Sequence, residues 1–138
     1  MENFEFYENI FVLNGLRRQI FSKHLEELGL SRGQPRILYC LMKKEHITQK
    51  ELADTCLLDS ATLSRGIDKL EKNGYIIRTV SPESRRCYFL ELTDKGRQSA
   101  EKVQKVYEEI NAQMSLNFTP EEINLLNSML KKAIRNIE

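Results

Sequence analysis

The amino-acid sequence predicts a mainly α-helical protein with a small β-hairpin wing, arranged as a winged helix-turn-helix with N- and C-terminal dimerisation helices. Two observations carry this prediction. Between Ile47 and Thr93 a helical apolar period gives way to an extended, β-rich pattern, and long amphipathic stretches flank this segment on both sides. The chain has no Gly- or Pro-rich linker and no internal repeat, so we expect a single domain over residues 1–138.

The first predicted helix runs from about Phe4 to Leu28 and is apolar on more than one face. Its large apolar residues are Phe4, Tyr7, Ile10, Phe11, Leu13, Leu16, Ile20, Phe21, Leu25 and Leu28. A chain of 138 residues has a modest core. It cannot easily cover all of these faces, so part of this helix should pack against a partner.

Two capping patterns mark the next two helices. Ser31-x-x-Gln34, followed by Pro35, starts the second helix. The residues of that helix that should support the following motif from behind are Ile37, Leu38 and Leu41. Thr48-x-x-Glu51 starts the third helix, because the Thr48 hydroxyl can accept the Glu51 N–H while the Glu51 side chain reaches back.

The fourth predicted helix has the features of a DNA recognition helix. Asp59 or Ser60 can cap it, and it should run to about Asn73. The residues that should form its buried stripe are Leu63, Ile67 and Leu70, and those that should face outward are Ala61, Arg65, Asp68 and Lys72. Its first turns are small and hydroxylated, which lets a backbone approach a duplex closely. Arg65 and Lys69 add charge for base edges and phosphates.

A β-hairpin should follow this helix. Gly74 supplies a left-handed C-cap, and the segments 75–80 and 87–92 are rich in β-branched and aromatic residues. The predicted tip, 81–86, is rich in turn residues and ends in Arg85 and Arg86. Two adjacent arginines on a hairpin tip form a positive probe suited to a DNA minor groove.

Two long helices should complete the chain. The fifth begins after Thr93, and the sixth begins at the capping box Thr119-Pro120-Glu121-Glu122, with Pro at the first helical position. Their apolar stripes are Val103, Val106, Tyr107, Ile110 and Met114, and then Ile123, Leu126, Leu130, Ala133 and Ile137. We interpret both chain ends as an intertwined dimerisation region. The alternative is that these stripes pack only on their own domain.

The segment from Ile47 to Arg97 resembles the DNA-binding core of the multiple-antibiotic-resistance regulator (MarR) family. The shared order is helix, recognition helix, wing, and Leu-Thr-Asp-Lys-Gly opening the next helix. Outside this core the helical layout is similar to the family across nearly the whole chain, with no sharp motif. The family's wing usually reads Asp-x-Arg, whereas this chain has Ser84-Arg85-Arg86. Arg86 therefore carries over by position, and the acidic residue that would orient it is missing.

This resemblance implies a homodimeric, DNA-binding transcriptional regulator with an inverted-repeat operator. A repressor is favoured, because a dimer on promoter DNA blocks polymerase without further contacts. The residues expected to contact DNA are Gln49, Lys50, Ser60, Thr62, Ser64, Arg65, Lys69, Arg85 and Arg86. Each can also be an ordinary solvated residue, and Asp59 is expected to cap rather than to read a base. The alternative function is a winged-helix protein-interaction module without sequence-specific DNA binding.

The expected organisation is a DNA-binding lobe over 32–97 and a helical dimerisation region formed by 1–30 and 98–138. Charge is compatible with this division. Residues 32–97 hold 13 Lys or Arg against 9 Asp or Glu, whereas the whole chain carries a net charge of only +1. A basic middle between acidic ends is typical of a protein that meets DNA through one region, although a solvated surface can show the same mild excess.

Many members of the family release DNA when a small aromatic acid enters the crevice between the dimerisation helices and the DNA-binding lobe. The side chains that could offer a cation, hydrogen bonds and an apolar wall to such an effector are Phe11, Arg17, Phe21, His24 and Tyr39. Each of these residue types is more often a core or surface residue than a ligand contact.

The remaining features exclude several classes. Cys40, Cys56 and Cys87 are odd in number and widely spaced, so a disulfide framework is not expected; Cys40 and Cys56 are interpreted as small buried apolar residues, and Cys87 beside two arginines could have a lowered pKa. There is no His and Cys cluster for a metal, no phosphate-binding glycine loop and no paired nucleophile and base. We therefore expect neither an enzyme nor a cofactor. An acidic start and the lack of any run of 18 apolar residues indicate a cytoplasmic protein without a membrane span.

Overall fold

Helices form most of the structure. A small sheet takes two strands from the segment between the fourth and fifth helices and one strand from the segment between the second and third helices. The computed structural model describes residues 3–81 and 83–138, and at 84–86 it describes the backbone only. Along the described residues the elements are α1 (Glu5–Leu28), α2 (Gln34–Lys43), β1 (Ile47–Thr48), α3 (Gln49–Cys56), α4 (Ser60–Lys72), β2 (Ile76–Ser81), β3 (Ser84–Leu92), α5 (Asp94–Met114) and α6 (Pro120–Ile137). The predicted fold class, a mainly α-helical winged helix-turn-helix, is confirmed.

The caps explain where these helices begin and end. Thr93 accepts the Gly96 N–H at the start of α5, and Thr119 and Glu122 form the complete predicted capping box at the start of α6. At the end of α4, Gly74 takes a φ of +81°, and the Tyr75 N–H returns to the Leu70 carbonyl, as in a Schellman motif.

Two predicted starts differ in detail. The N-cap of α2 is Gly33, at a φ of +87°, rather than Ser31; the Gln34 side chain instead accepts the Ser31 N–H at 2.9 Å. At α3 the Thr48 hydroxyl accepts the Glu51 N–H at 3.2 Å. The return bond from Glu51 is absent from the hydrogen bonds of the described residues, and Thr48 also belongs to strand β1.

The sheet has three strands rather than the two that were predicted. Its order is β1-β3-β2, and both pairings are antiparallel. β1 pairs Ile47 with Leu90 and Thr48 with Phe89. The sequence did not predict β1, because a strand of two residues shows no alternating pattern and its partner strand is distant along the chain. By pairing with β3, strand β1 joins the wing to the start of α3.

The wing tip is tighter than predicted. Strand pairing continues to Ser81 and Ser84, so the backbone of 84–86 belongs to β3 and not to a long turn. The register shifts after Val80, which faces Tyr88, while Ser81 faces Ser84. Residues 85–87 of β3 therefore have no partners in β2, and they form a bulge-like irregularity in the strand. Pro82 of the predicted tip lies outside the described residues.

The core lies between α2, α3, α4, the sheet and the first half of α5. Its largest fully buried side chains are Ile37, Leu38, Leu41, Ile47, Leu52, Leu63, Ile67, Leu70, Ile76, Leu90 and Val103. The predicted supporting stripe of α2 and the predicted inner stripe of α4 are both among them. In contrast, α1 and α6 bury none of their residues within the chain. No helix in the described part of the chain combines the length and the apolar character that crossing a bilayer requires.

Candidate nucleic-acid interface

The recognition helix α4 begins at a fully formed cap. The Asp59 carboxylate accepts the Thr62 N–H at 2.9 Å and the Thr62 hydroxyl at 2.8 Å. These two bonds hold the pKa of Asp59 below its ordinary value, so the carboxylate stays charged at neutral pH. Of the two caps that the sequence allowed, Asp59 and Ser60, the structure has Asp59, and the Thr62 hydroxyl donates to this cap.

The two faces of α4 separate as the sequence predicted. Its inner stripe is almost fully buried, and the outer residues Ala61, Arg65, Asp68 and Lys72 are exposed. Gly66 lets α4 approach α2 closely, because a Cβ there would lie 2.7 Å from the Ile37 Cδ1 atom. Close packing against α2 fixes the backbone of α4, and the exposed side chains of Ala61, Arg65 and Lys72 are accessible to a ligand.

The predicted DNA contacts on α3 and α4 differ in exposure. Ser60, Arg65 and Lys69 are exposed, whereas Thr62 and Ser64 are half-buried. At the start of α3, Lys50 is exposed and Gln49 is half-buried. The structure places the backbone of Arg85 and Arg86 in β3, and their side chains lie outside its description.

A basic groove runs between the start of α2 and the outer face of α4. It has a volume of about 250 Å³ and is lined by Ser31, Arg32, Gln34, Thr62, Arg65, Gly66 and Lys69. Arg32 was not predicted as a site residue. No local pattern marks it, because it joins Arg65 and Lys69 only through the packing of α2 on α4. These three side chains give the surface a concentration of positive charge.

Arg78 of β2 ties the wing to α4. Its guanidinium donates to the Glu71 carboxylate at 2.7 Å and to the Asp68 carboxylate at 2.9 Å. The hydrogen bond to Asp68 is the main reason that the pKa of Arg78 is raised. These bonds neutralise two acidic groups on the recognition helix, which would otherwise repel phosphate.

The base of the wing has its own anchors. The His46 ring stacks on Phe89 with centroids 4.0 Å apart, and its Nδ1 atom lies 2.7 Å from the Glu91 carboxylate. In the helix that follows the wing, Lys95 Nζ at the start of α5 donates to the Asn73 carbonyl at 2.7 Å. The wing is therefore joined to the loop before β1, and the start of α5 is joined to the end of α4.

In the single chain the five predicted effector residues have three different surroundings. Phe11 and Arg17 line an open cleft of about 390 Å³ between α1 and the end of α5, together with Tyr7, Ile10, Leu13, Asn14 and Met114. Phe21 and Tyr39 instead pack on Tyr107, with ring centroids 5.3 and 4.9 Å away. The His24 Nδ1 atom lies 3.7 Å from the Glu27 carboxylate on the same helix. The sequence predicted which helices carry these side chains, but it did not predict which neighbouring element each helix face contacts.

Comparisons with known proteins match this architecture. The MarR family model matches residues 30–88. An uncharacterized HTH-type transcriptional regulator, YdgJ of Bacillus subtilis (strain 168), is 31% identical over 94% of this chain and 79% of its own length. The multiple antibiotic resistance protein MarR of Escherichia coli (strain K12) is 25% identical over 91% of this chain and 88% of its own length.

A solved structure extends the match to nearly every residue. It is a putative MarR family transcriptional regulator from Listeria monocytogenes, crystallised in complex with a 26mer DNA. It is 33% identical, covers 99% of this chain and 90% of its own, and superposes with a TM-score of 0.91. The likeness thus includes α1 and α6 as well as the helix-turn-helix and wing.

Proposed function

Because this chain belongs to the MarR family of transcriptional regulators, we propose that it represses transcription as a homodimer bound to an inverted-repeat operator. The observation that carries the proposal is the outer face of α4. Arg65 and Lys69 stand exposed there beside Arg32, on a helix whose other face is locked into the core. The relative of known structure that was crystallised with DNA has the same fold over nearly the whole chain.

The proposed contacts divide between the two grooves of the duplex. The outer face of α4 enters the major groove, where Arg65 reads a base edge and Lys69 lies near phosphate. Ser60, Thr62 and Ser64 keep its first turns close to the duplex. Lys50 and Gln49, at the start of α3, hold a phosphate. Arg85 and Arg86 of the wing enter the adjacent minor groove. The region 32–97 is thereby the DNA-binding lobe.

The ends of the chain, 1–30 and 98–138, are proposed to form the dimerisation region. Large apolar side chains in these two ends are exposed in the single chain, among them Phe4, Phe6, Tyr7, Ile10, Phe11, Val12, Leu13, Leu16, Met114, Leu125, Met129, Ile134 and Ile137. A patch of this extent is unfavourable in water unless another surface covers it. A second copy of the same helices, related by a twofold axis, is the occupant that also pairs two recognition helices.

An aromatic acid is the proposed effector, and its proposed site is the cleft between α1 and the end of α5. This cleft lies on the apolar face that the second copy covers in the proposed dimer, so the acid would bind at the dimer interface. Tyr7, Phe11 and Met114 provide an apolar wall, and the Arg17 guanidinium can pair with a carboxylate. In the single chain Arg17 donates to the Asn14 side chain at 2.8 Å, so this bond would yield to the ligand. Phe21, His24 and Tyr39 belong to the surrounding helices rather than to the lining.

The proposed DNA interface is tested by measuring affinity for duplex DNA across a series of salt concentrations. Binding should weaken steeply as salt rises, because phosphate contacts release counterions. Lys50→Ala should weaken binding to all sequences alike and reduce the salt slope by about 1, whereas Arg65→Ala should cost about 1–3 kcal/mol on the preferred sequence and relax base preference. Lys102→Ala, an exposed change on α5, is the control. Salt-insensitive binding, or equal effects of all three changes, would contradict the proposed interface.

A further inference from the structure

Thr93 and Lys95, at the start of α5, bind three consecutive carbonyl groups at the end of the recognition helix. The Lys95 Nζ atom donates to the Asn73 carbonyl at 2.7 Å. The Thr93 hydroxyl donates to the Gly74 carbonyl at 2.6 Å, and the Thr93 N–H donates to the Tyr75 carbonyl at 3.0 Å. We call these three bonds the α4–α5 clamp. They join the corner between α4 and the wing to α5 at three adjacent points.

Lys95 differs from Thr93 in the clamp, because Lys95 contributes only an exposed side chain. Thr93 also caps α5, so a change there would disturb the helix as well as the clamp. The Lys95 ammonium lies 4.4 Å from the centre of the Tyr75 ring, whose negative face attracts it. It also lies at the C-terminal end of α4, where the helix dipole favours a positive charge. Both attractions hold the ammonium on the corner, although exposed contacts of this kind add little to stability.

Helix α5 connects the clamp to the region that we propose to form the dimer. Its first half is buried in the core through Ala100 and Val103, and Met114 at its end lies in the apolar cleft with α1. The helix has 21 residues and is about 31 Å long. A small change in direction at its start is therefore a large displacement at its end. In a dimer joined near that end, the distance between the two recognition helices depends on the angle at which each α4 meets α5.

We propose that Lys95 is a positioning residue that fixes the angle between α4 and α5, and thereby the half-site spacing that a dimer accepts. Helix α2 packs against both helices and sets their approximate arrangement. The clamp holds the C-terminal end of α4, so without Lys95 this end can move relative to α5. Two recognition helices can then reach half-sites that lie one base pair closer together or farther apart. This role rests on the proposed function, because it needs a homodimer on an inverted repeat.

The test compares how the parent protein and Lys95→Met bind operators that differ only in half-site spacing. The selected inverted repeat is made at its own spacing and with one base pair added or removed at its centre. We expect the parent protein to prefer its own spacing, and Lys95→Met to reduce that preference about fivefold, the lower end of a typical coupling between sites. Lys95→Arg should retain the preference, because a guanidinium can also donate to a carbonyl and lie over an aromatic ring. Lys102→Met, an exposed change on the same helix, is the control.

A second measurement follows the clamp itself without DNA. The Thr93 N–H donates to the Tyr75 carbonyl, so its hydrogen exchange reports whether the corner stays closed. Lys95→Met should speed this exchange, whereas Lys95→Arg and Lys102→Met should leave it unchanged. The free energy of unfolding, measured in urea, should change little in all three variants.

Two outcomes would overturn the proposal. One is an equal loss of affinity at every spacing in Lys95→Met, which would assign Lys95 to a phosphate contact or to general stability. The other is a spacing preference that is the same in Lys95→Met and the parent protein, even where exchange at Thr93 is faster. A parent protein that selects no inverted repeat would instead defeat the proposed function, and the parent protein alone reveals that result.

Discussion

Arg78 shows how one side chain can set the relation between two parts of a binding surface. It reaches from β2 to two carboxylates on α4, and its side chain is 26% exposed. Ion pairs at this level of exposure contribute little to stability. Their geometric effect is larger, because the two bonds fix the distance between the wing and α4 and neutralise acidic groups that would face phosphate in the proposed complex.

Replacing Arg78 by Met should therefore separate stability from binding. The free energy of unfolding should change by about 1 kcal/mol or less, while DNA affinity should fall several-fold, because the wing loses its tie to α4 and Asp68 and Glu71 become free negative charges. Urea unfolding and fluorescence anisotropy measure the two effects. The matched control is Arg97→Met, which removes the ion pair with Glu45 away from α4. Equal losses of affinity in both variants would count against a positioning role for Arg78.

Single residues were predictable where the cause is local. The Asp59 cap and the inward stripe of α4 follow from short-range patterns, and the structure has both. Asp68 was assigned correctly to the outer face, but its partner comes from another element ten residues away. Arg32 was missed for the same reason. Side-chain partnerships across elements depend on packing, which no sequence window contains.

At the scale of elements, the tightest junction is where α5 leaves the wing. Gly96, in the first turn of α5, packs directly against the backbone carbonyl of Tyr75, and Thr93 caps that turn while also donating to the Gly74 carbonyl at 2.6 Å. A backbone atom cannot rotate away as a side chain can. The glycine thus allows the wing and α5 to meet closely.

Gly96→Ala should destabilise the fold by about 1–3 kcal/mol or more, because the added methyl group forces the backbone apart. Gly15→Ala in α1 is the control, since a Cβ there meets no atom of the chain within 4 Å and alanine favours a helix by about 1 kcal/mol. Urea unfolding monitored by circular dichroism compares them. If Gly96→Ala is as stable as the parent protein, the contact with Tyr75 is not the constraint that the structure indicates.

The elements themselves were largely predictable. Caps and apolar periods placed α1 and α3 to α6 within about two residues, whereas β1 and the close wing tip were not foreseen. β1 is defined by its pairing with β3 and not by its own two residues. The tip depends on a register shift between β2 and β3, and turn residues alone do not encode a register. The sequence therefore predicted structure that depends on neighbouring residues, but not structure that depends on pairing between distant segments.

At the scale of the whole molecule, the exposed apolar faces at both chain ends require an explanation that one chain does not supply. We expect light scattering to report about twice 16.2 kDa at micromolar concentration. Met129→Glu places a charge among the exposed apolar residues of α6 and should shift the protein toward monomer. Ser128→Glu adds the same charge at an exposed position on the polar face of the same helix, so it should leave the mass unchanged. A well-folded monomer of the parent protein would rule out the dimerisation region.

The central claim is that two symmetry-related copies of α4 read DNA together. The most direct measurement is selection of bound sequences by the purified protein from random duplex DNA. We expect an inverted repeat whose half-site centres lie about 10 base pairs apart, because paired recognition helices enter successive major grooves on one face of the duplex. Arg65→Ala should relax the selected bases without changing that spacing. Recovery of no preferred sequence, or of a single half-site without symmetry, would contradict the account.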